Sequence, residues 1–282
     1  MGKSVFAPIR LIACALLLIA ASACGRAEHT GADSNAQDAA AERTWPRPDP
    51  TQLSEGPQKQ QILYGEALIR RTYAIVGPRV ADASMRYSGN NLSCSSCHLD
   101  SGRQRYALSL IGVSDAYPRN MARENAVQSL AQRVNGCFER SMNGRALPES
   151  SREMTALLAY LRFLSDAAPR DMEGRGAPAV RLLERAADPV RGAHVYTTRC
   201  AVCHGAGGQG ARNADGSGYT YPPLWGPDSF NDGAGMHRII TAANFIRANM
   251  PFGTTYENPV LSEEEAFDVA AFINTQPRPH RR

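Results

Sequence analysis

Cys94-Ser95-Ser96-Cys97-His98 and Cys200-Ala201-Val202-Cys203-His204 repeat one pattern, Cys-x-x-Cys-His, once in each half of a 282-residue chain. Two thiols at this spacing add to the two vinyl groups of a haem, and the histidine that follows turns in as the proximal ligand of its iron. A single copy is also compatible with a redox-active thiol pair or with chance. Two copies in matching surroundings point to two covalently bound haem c groups. Cys94, Cys97, Cys200 and Cys203 are then the attachment sites, and His98 and His204 the proximal ligands.

The surroundings match in order and in spacing. The first block opens with Ile62, Gly65, Ile69, Tyr73 and Val76 at helical intervals, stopped by Gly77-Pro78. After its haem motif it closes with Ser150-Ser151-Arg152-Glu153, read as a capping box, and a helix carrying Met154, Leu157, Leu158, Leu161 and Leu164. The second block opens with Gly192, Val195 and Tyr196 and closes with Ser262-Glu263-Glu264-Glu265 and a helix through Val269, Phe272 and Ile273. A shift of 112 residues lays Ser150 on Ser262, Glu153 on Glu265 and Tyr160 on Phe272. Helix, haem motif, loops and closing helix are the order of a class I cytochrome c domain, and strand signals are scarce. The expected fold is therefore mostly α, with two class I cytochrome c domains in tandem at residues 58–166 and 189–278. Residues 167–188, where Pro, Gly and charge surround Val180, Leu182 and Leu183, form the connector. The glycine-rich stretch 205–218 has too few large side chains to build a core unaided, and reads as wrapping a cofactor.

Ahead of the first block lie segments of another kind. Lys3 and Arg10 precede an apolar run from Leu11 to Ala21 that is too short to span a bilayer comfortably, and Ala21-Ser22-Ala23 offers a cleavage site. Residues 1–23 are thus read as a signal peptide, and the protein as periplasmic. Cys24 follows directly, where a lipoprotein carries its acylated cysteine, although Ala21 replaces the Leu of a strong lipobox; lipidation and simple cleavage both stay open. Residues 24–57 contain almost no aliphatic side chains and read as a flexible tether, with Trp45 a stray surface or docking group. The net charge of +4 falls to +2 without Lys3 and Arg10, and no basic run of five occurs, so nucleic-acid binding has no support. Two haems add about four propionate charges and reverse the sign.

The cysteine count isolates one residue. Of seven cysteines, Cys14 leaves with the signal peptide, Cys24 sits at the processing site and four belong to the haem motifs. Cys137 is left unpaired in an oxidising compartment. For the second haem, Met250 in Asn249-Met250-Pro251-Phe252-Gly253 stands twelve residues before Ser262 and is favoured as sixth ligand over Met236. A thioether raises the haem potential and suits electron transfer. In the block register the counterpart of Met250 is Phe138, beside Cys137. Met142 would give the first haem an ordinary His/Met pair but lies four residues off register; Cys137 is off by one and would supply a thiolate. A buried inert thiol is the remaining reading of Cys137.

Asn135-Gly136-Cys137-Phe138-Glu139-Arg140-Ser141-Met142-Asn143-Gly144 resembles the corresponding segment of the tetrathionate-forming thiosulfate dehydrogenases of the TsdA type. Tyr221-Pro222-Pro223-Leu224-Trp225-Gly226, Met250-Pro251-Phe252-Gly253 and Phe272-Ile273-Asn274 are similar too, so the resemblance runs from about residue 58 to 278. It implies His98 and Cys137 as axial ligands of the first haem, with Arg123, Arg133 and Ser141 binding the sulfur anion. Some relatives carry Lys before the distal Met of the second haem and exchange the two as ligands; this chain has Asn249 there. The residue chemistry is compatible: Arg133 lies one helical turn before Cys137 and Ser141 one turn after, provided a helix persists through Gly136. Guanidinium groups suit small oxyanions, although each arginine also reads as a surface residue or a propionate partner.

The expected reaction joins two thiosulfates into tetrathionate at the first haem and passes two electrons through the second to an acceptor cytochrome c or similar carrier; the reverse reaction would use the same site. The competing expectation is a non-catalytic dihaem electron carrier with Met142 on the first haem. A dihaem peroxidase finds no supporting motif.

Overall fold

The computed structural model describes residues 45–281 apart from 123, 169–175 and 177. The expected signal peptide, Cys24, most of the tether, Arg123 and part of the connector lie outside the described residues.

Each half is organised by a pair of helices that cross closely over a glycine. Helix α1 (Pro57–Arg70) meets α3 (Arg152–Asp166) at Gly65, where an added Cβ would lie 2.1 Å from the Ala156 carbonyl oxygen and 2.7 Å from Tyr160 Cβ. Helix α4 (Pro189–Val195) meets α6 (Glu263–Thr275) at Gly192, where a Cβ would lie 1.9 Å from the Asp268 carbonyl oxygen and 2.9 Å from Phe272 Cβ. Any side chain at either glycine would push its helix pair apart. The pairs Ala156/Asp268 and Tyr160/Phe272 are those that the 112-residue shift superimposes, so the sequence repeat is also a packing repeat.

Two apolar cores follow. Ile62, Leu68 and Ile69 pack with Met154, Leu157, Tyr160 and Leu164 in the first, and Val195, Tyr196, Ala242, Ile246, Val269 and Ile273 in the second. At about 1.5–3 kcal/mol for each large side chain buried, these clusters dominate the stability of their halves. Tyr160 and Tyr196, fully buried, donate their hydroxyls to the Ser101 and Gly205 carbonyls at 3.0 and 2.6 Å. Each thereby ties the loop after a Cys-x-x-Cys-His motif to its core.

Local expectations needed three corrections. The first helix starts earlier than its apolar spacing implies and breaks at Arg71 (φ −133°, ψ 43°) before a further turn, Thr72–Ile75. The break turns Thr72 under the first haem motif, where its hydroxyl accepts from the Cys94 N–H at 3.2 Å. Ser151, not Ser150, caps α3, and Glu153 takes the Tyr64 hydroxyl at 2.9 Å instead of closing a capping box; Ser262 and Glu265 do form theirs. Trp45 is neither stray nor exposed. It is 6% exposed within the first core, its Nε1–H donating to the Arg103 carbonyl at 2.6 Å, so one large indole anchors a segment otherwise poor in apolar area.

Further elements of the described fold include α2 (Leu130–Arg140), α5 (Ile239–Asn249) and two short antiparallel hairpins, β1 (Arg119–Met121) with β2 (Ala126–Gln128) and β3 (Ala211–Arg212) with β4 (Tyr219–Tyr221). The connector closes on the second half through Asp268, which accepts from Arg185 at 2.8 and 2.9 Å, Arg191 at 3.0 Å and the Asp188 N–H at 2.7 Å. Burial alone would raise the Asp268 carboxyl, but these donors hold it down at about 2. Among the described residues no helix is long and apolar enough to cross a membrane.

Candidate active site

Ser129 and Gln132 form a reciprocal capping box that starts α2, and the helix runs unbroken through Gly136. Gly136 allows the Arg140 side chain to fold back along the helix, since a Cβ there would lie 2.5 Å from Arg140 Nη2, and Arg140 pairs with Glu124 at 3.2 Å. The continuous helix aligns Arg133, Cys137 and the C-cap residue Ser141 along one face. Arg133 Nη1 donates to Cys137 Sγ at 2.7 Å, and the Cys137 charge is the chief influence pushing the Arg133 guanidinium above its ordinary value.

That face borders an apolar cavity. Cys94, Cys97 and His98 line it from the first haem motif, Val134, Cys137, Phe138 and Ser141 from α2, Leu157 and Leu161 from α3, and Phe230, Ala234 and Met236 from the second half of the chain. The lining is overwhelmingly apolar, as a large hydrophobic ring system requires, with a few heteroatoms at fixed points. The His98 Nδ1–H donates to the Leu108 carbonyl, which leaves Nε2 as the metal-facing nitrogen. Burial also pushes the imidazole below its ordinary value, and a neutral ring is the form that ligates. Burial likewise pushes the Cys94 and Cys97 thiols up to about 11 and about 12. Two thiols, a neutral histidine and an opposing sulfur in one apolar cavity fit a c-type haem.

The second motif repeats the proximal half of this arrangement. The His204 Nδ1–H donates to the Pro222 carbonyl at 2.8 Å, and burial again lowers the imidazole. Gly208, at φ +65°, lies flat against the Trp225 indole, where a Cβ would approach Cε2 to 2.2 Å; the glycine-rich loop is needed for that contact. Met250 follows the last residue of α5 in extended conformation and packs against the second core.

The structure thus brings His98, Cys137, Ser141 and, through Cys137, Arg133 together. Met142 also borders the cavity and is part of the first core, 3% exposed. Met236, considered above for the second haem, lies at the first cavity as well as on the second core. Sequence reasoning missed the residues that join the cavity wall to the second half. Asn90, fully buried, donates to the carbonyls of Ser141 and Ser229 at 3.0 and 3.1 Å. Asn231 donates its side-chain N–H to the Glu139 carbonyl at 2.8 Å and its backbone N–H to that of Arg140 at 3.2 Å. Asn90 and Asn231 sit beside Gly89 and Asp232 and carry only the local signal of turn residues.

Comparison with known proteins shows two cytochrome c domains. Residues 85–169 match the SoxA/TsdA cytochrome c domain, and residues 189–277 match the cytochrome c domain. The thiosulfate dehydrogenase of Stutzerimonas stutzeri (strain A1501) is 42% identical over 228 residues, covering 79% of this chain and 72% of the relative. That of Allochromatium vinosum is 45% identical over 199 residues, covering 68% of this chain and 72% of the relative. Among solved structures, the as-isolated thiosulfate dehydrogenase (TsdBA) from Marichromatium purpuratum superimposes with a TM-score of 0.74 at 38% identity, covering 82% of this chain. The present chain spans about half of that structure, 49%. Two cytochrome c domains with two covalently bound c-type haems, at this level of identity over most of the chain, place it in one family: the chain belongs to the dihaem thiosulfate dehydrogenases.

Proposed function

We propose that the first domain, residues 58–166, is the catalytic half of a thiosulfate dehydrogenase and the second, residues 189–278, its electron exit. The reaction joins two thiosulfates through a new S–S bond to give tetrathionate, releasing two electrons and no proton. Haems held at the two Cys-x-x-Cys-His motifs would supply the electron acceptor and the path to an acceptor cytochrome. Cys94 and Cys97 would hold the first haem, with His98 and Cys137 as its iron ligands; Cys200 and Cys203 would hold the second, with His204 and Met250.

The observation that carries this reading is the Arg133–Cys137 contact in the wall of the cavity shared with His98. A guanidinium 2.7 Å from that sulfur puts a fixed positive charge at the cavity wall. Fixed positive charge is also what the substrates require. Two unit charges 4 Å apart repel by about 4 kcal/mol at an effective dielectric of about 20, so two dianions repel by about 16 kcal/mol. Arg133, the Ser141 hydroxyl and Arg123 are assigned to hold the anions against that repulsion. Phe230, Ala234 and Met236 limit water on the other side. Met250 remains the ligand in both oxidation states because Asn249 offers no amine to compete.

Export belongs to the same reading: the leader at residues 1–23 directs the chain to the periplasm. The test is direct. Purified holoprotein should reduce a cytochrome acceptor on addition of thiosulfate, with tetrathionate appearing at half the molar amount consumed. Two intact haems with no thiosulfate-dependent reduction would leave only the electron-carrier reading.

A further inference from the structure

The residue before Met250 makes contacts that distal-ligand support does not require. Asn249 is the last residue of α5 and 7% exposed. Its amide donates to the Phe245 carbonyl at 3.0 Å within the helix and to the Tyr106 carbonyl at 3.1 Å in the first domain. Its Oδ1 accepts from Gln104 Nε2 at 3.1 Å. One short side chain therefore fastens residues 104–106 to the helix end that leads into the distal loop of the second haem.

The fastened segment is not neutral ground. Tyr106 and Leu108 both adopt left-handed backbone conformations, at φ +59° and +53°, which are unfavourable for side chains of this size. Through them the chain turns so that the Leu108 carbonyl receives the His98 Nδ1–H. Further contacts from the second domain press on the same segment: the Tyr106 and Tyr256 rings lie 4.1 Å apart between centroids, and Arg105 pairs with Glu257 at 3.5 Å. A strained segment persists only where its surroundings hold it, and here the holding groups come from across the domain boundary.

We propose that Asn249 is a positioning residue for the first haem, acting through Tyr106 and Leu108 on the hydrogen bond that orients His98 and sets its basicity. A proximal imidazole that donates firmly to a carbonyl is a stronger electron donor to iron and favours the ferric state. The potential of the first haem is then set partly by the element that ends at the distal ligand of the second. The proposal rests on the assignment of His98 as axial ligand given above.

The test uses the holoprotein with Asn249→Leu, which keeps the size and removes the amide. The midpoint potential of the first haem should rise and its low-spin electron paramagnetic resonance signals should shift, while the His/Met absorption band of the second haem persists. A role confined to stability would lower the melting temperature and leave that potential and those signals unchanged, which would overturn the proposal. Should Asn249→Leu not assemble, Gln104→Ala removes the donor that fixes the amide orientation; a smaller rise in the same direction supports the proposal, and no shift overturns it. Loss of haem from the first domain alone in His98→Ala checks the His98 assignment separately, so failure of that reading is distinguishable from failure of this one.

Discussion

The two haem-binding halves share a frame and part company at one position. Both cross a helix pair over a glycine, tie the loop after the haem motif with a buried tyrosine, and orient the haem-motif histidine with a backbone carbonyl. On the distal side the second half offers Met250 from extended chain just beyond a helix end, whereas the first offers Cys137 from inside a helix. A helix interior fixes neighbours that a loop does not: Arg133 one turn before and Ser141 one turn after. The difference suggests how one cytochrome frame serves two ends. On the proposed ligand assignment, a thioether on a loop serves the relay, and a sulfur on a helix comes with its own cation and an apolar cavity.

Breaking the cation side of that contrast should have a large effect. Arg133→Ala should lower kcat/KM for thiosulfate by about 10²–10³, the range for removing one preorganised charge donor. Both haems should remain attached, and steady-state kinetics with haem quantification checks this; an unchanged kcat/KM would remove Arg133 from the site. On the relay side, Met250→Ala should abolish the His/Met charge-transfer band at the red end of the spectrum and lower the potential of the second haem. The thiolate signals of the first haem should persist, and turnover should slow without vanishing. Survival of the band, with its loss in Met142→Ala, would reverse the ligand assignment.

The smallest effect tests the frame itself. Where the first half has Ala156, the second has Asp268, the anchor of the connector through Arg185 and Arg191. Its carboxyl is held at about 2 against an ordinary 3.8, a depressed value, so its contribution is complete above pH 3.8 and is lost as pH falls through about 2. The shift corresponds to about 2 kcal/mol. Asp268→Asn should lose a similar amount in denaturant titrations at neutral pH, and the loss should shrink as pH falls through that window. A loss independent of pH there would mean the ion pairs contribute little.

What the sequence disclosed follows the physics of each signal. Cys-x-x-Cys-His is covalent chemistry, and the apolar spacing of α3 and α6 is helical geometry; both are local and both are legible. The unpaired Cys137 was legible by subtraction. Features that depend on distant partners were not. Ser151 rather than Ser150 caps α3, and buried Glu153 bonds to Tyr64, 89 residues away. Trp45 is buried by a core whose other members lie beyond the tether. Asn90, Asn231 and Asn249 look like turn or cap residues until the second domain is in place, and then they are the bonds that join the first cavity wall to the second half or fasten its proximal loop. The hairpin Arg119–Met121 with Ala126–Gln128 is too short to show alternation.

The central claim is that the two distal positions do different work, and Cys137→Ala tests it most directly. Attachment uses Cys94, Cys97, Cys200 and Cys203, so both haems should stay covalently bound. The low-spin thiolate signals should disappear, the potential of the first haem should rise as the anionic donor is lost, and thiosulfate oxidation should cease. A Cys137→Ala protein that still forms tetrathionate at the normal rate would contradict the account and leave two ordinary relay haems in one chain.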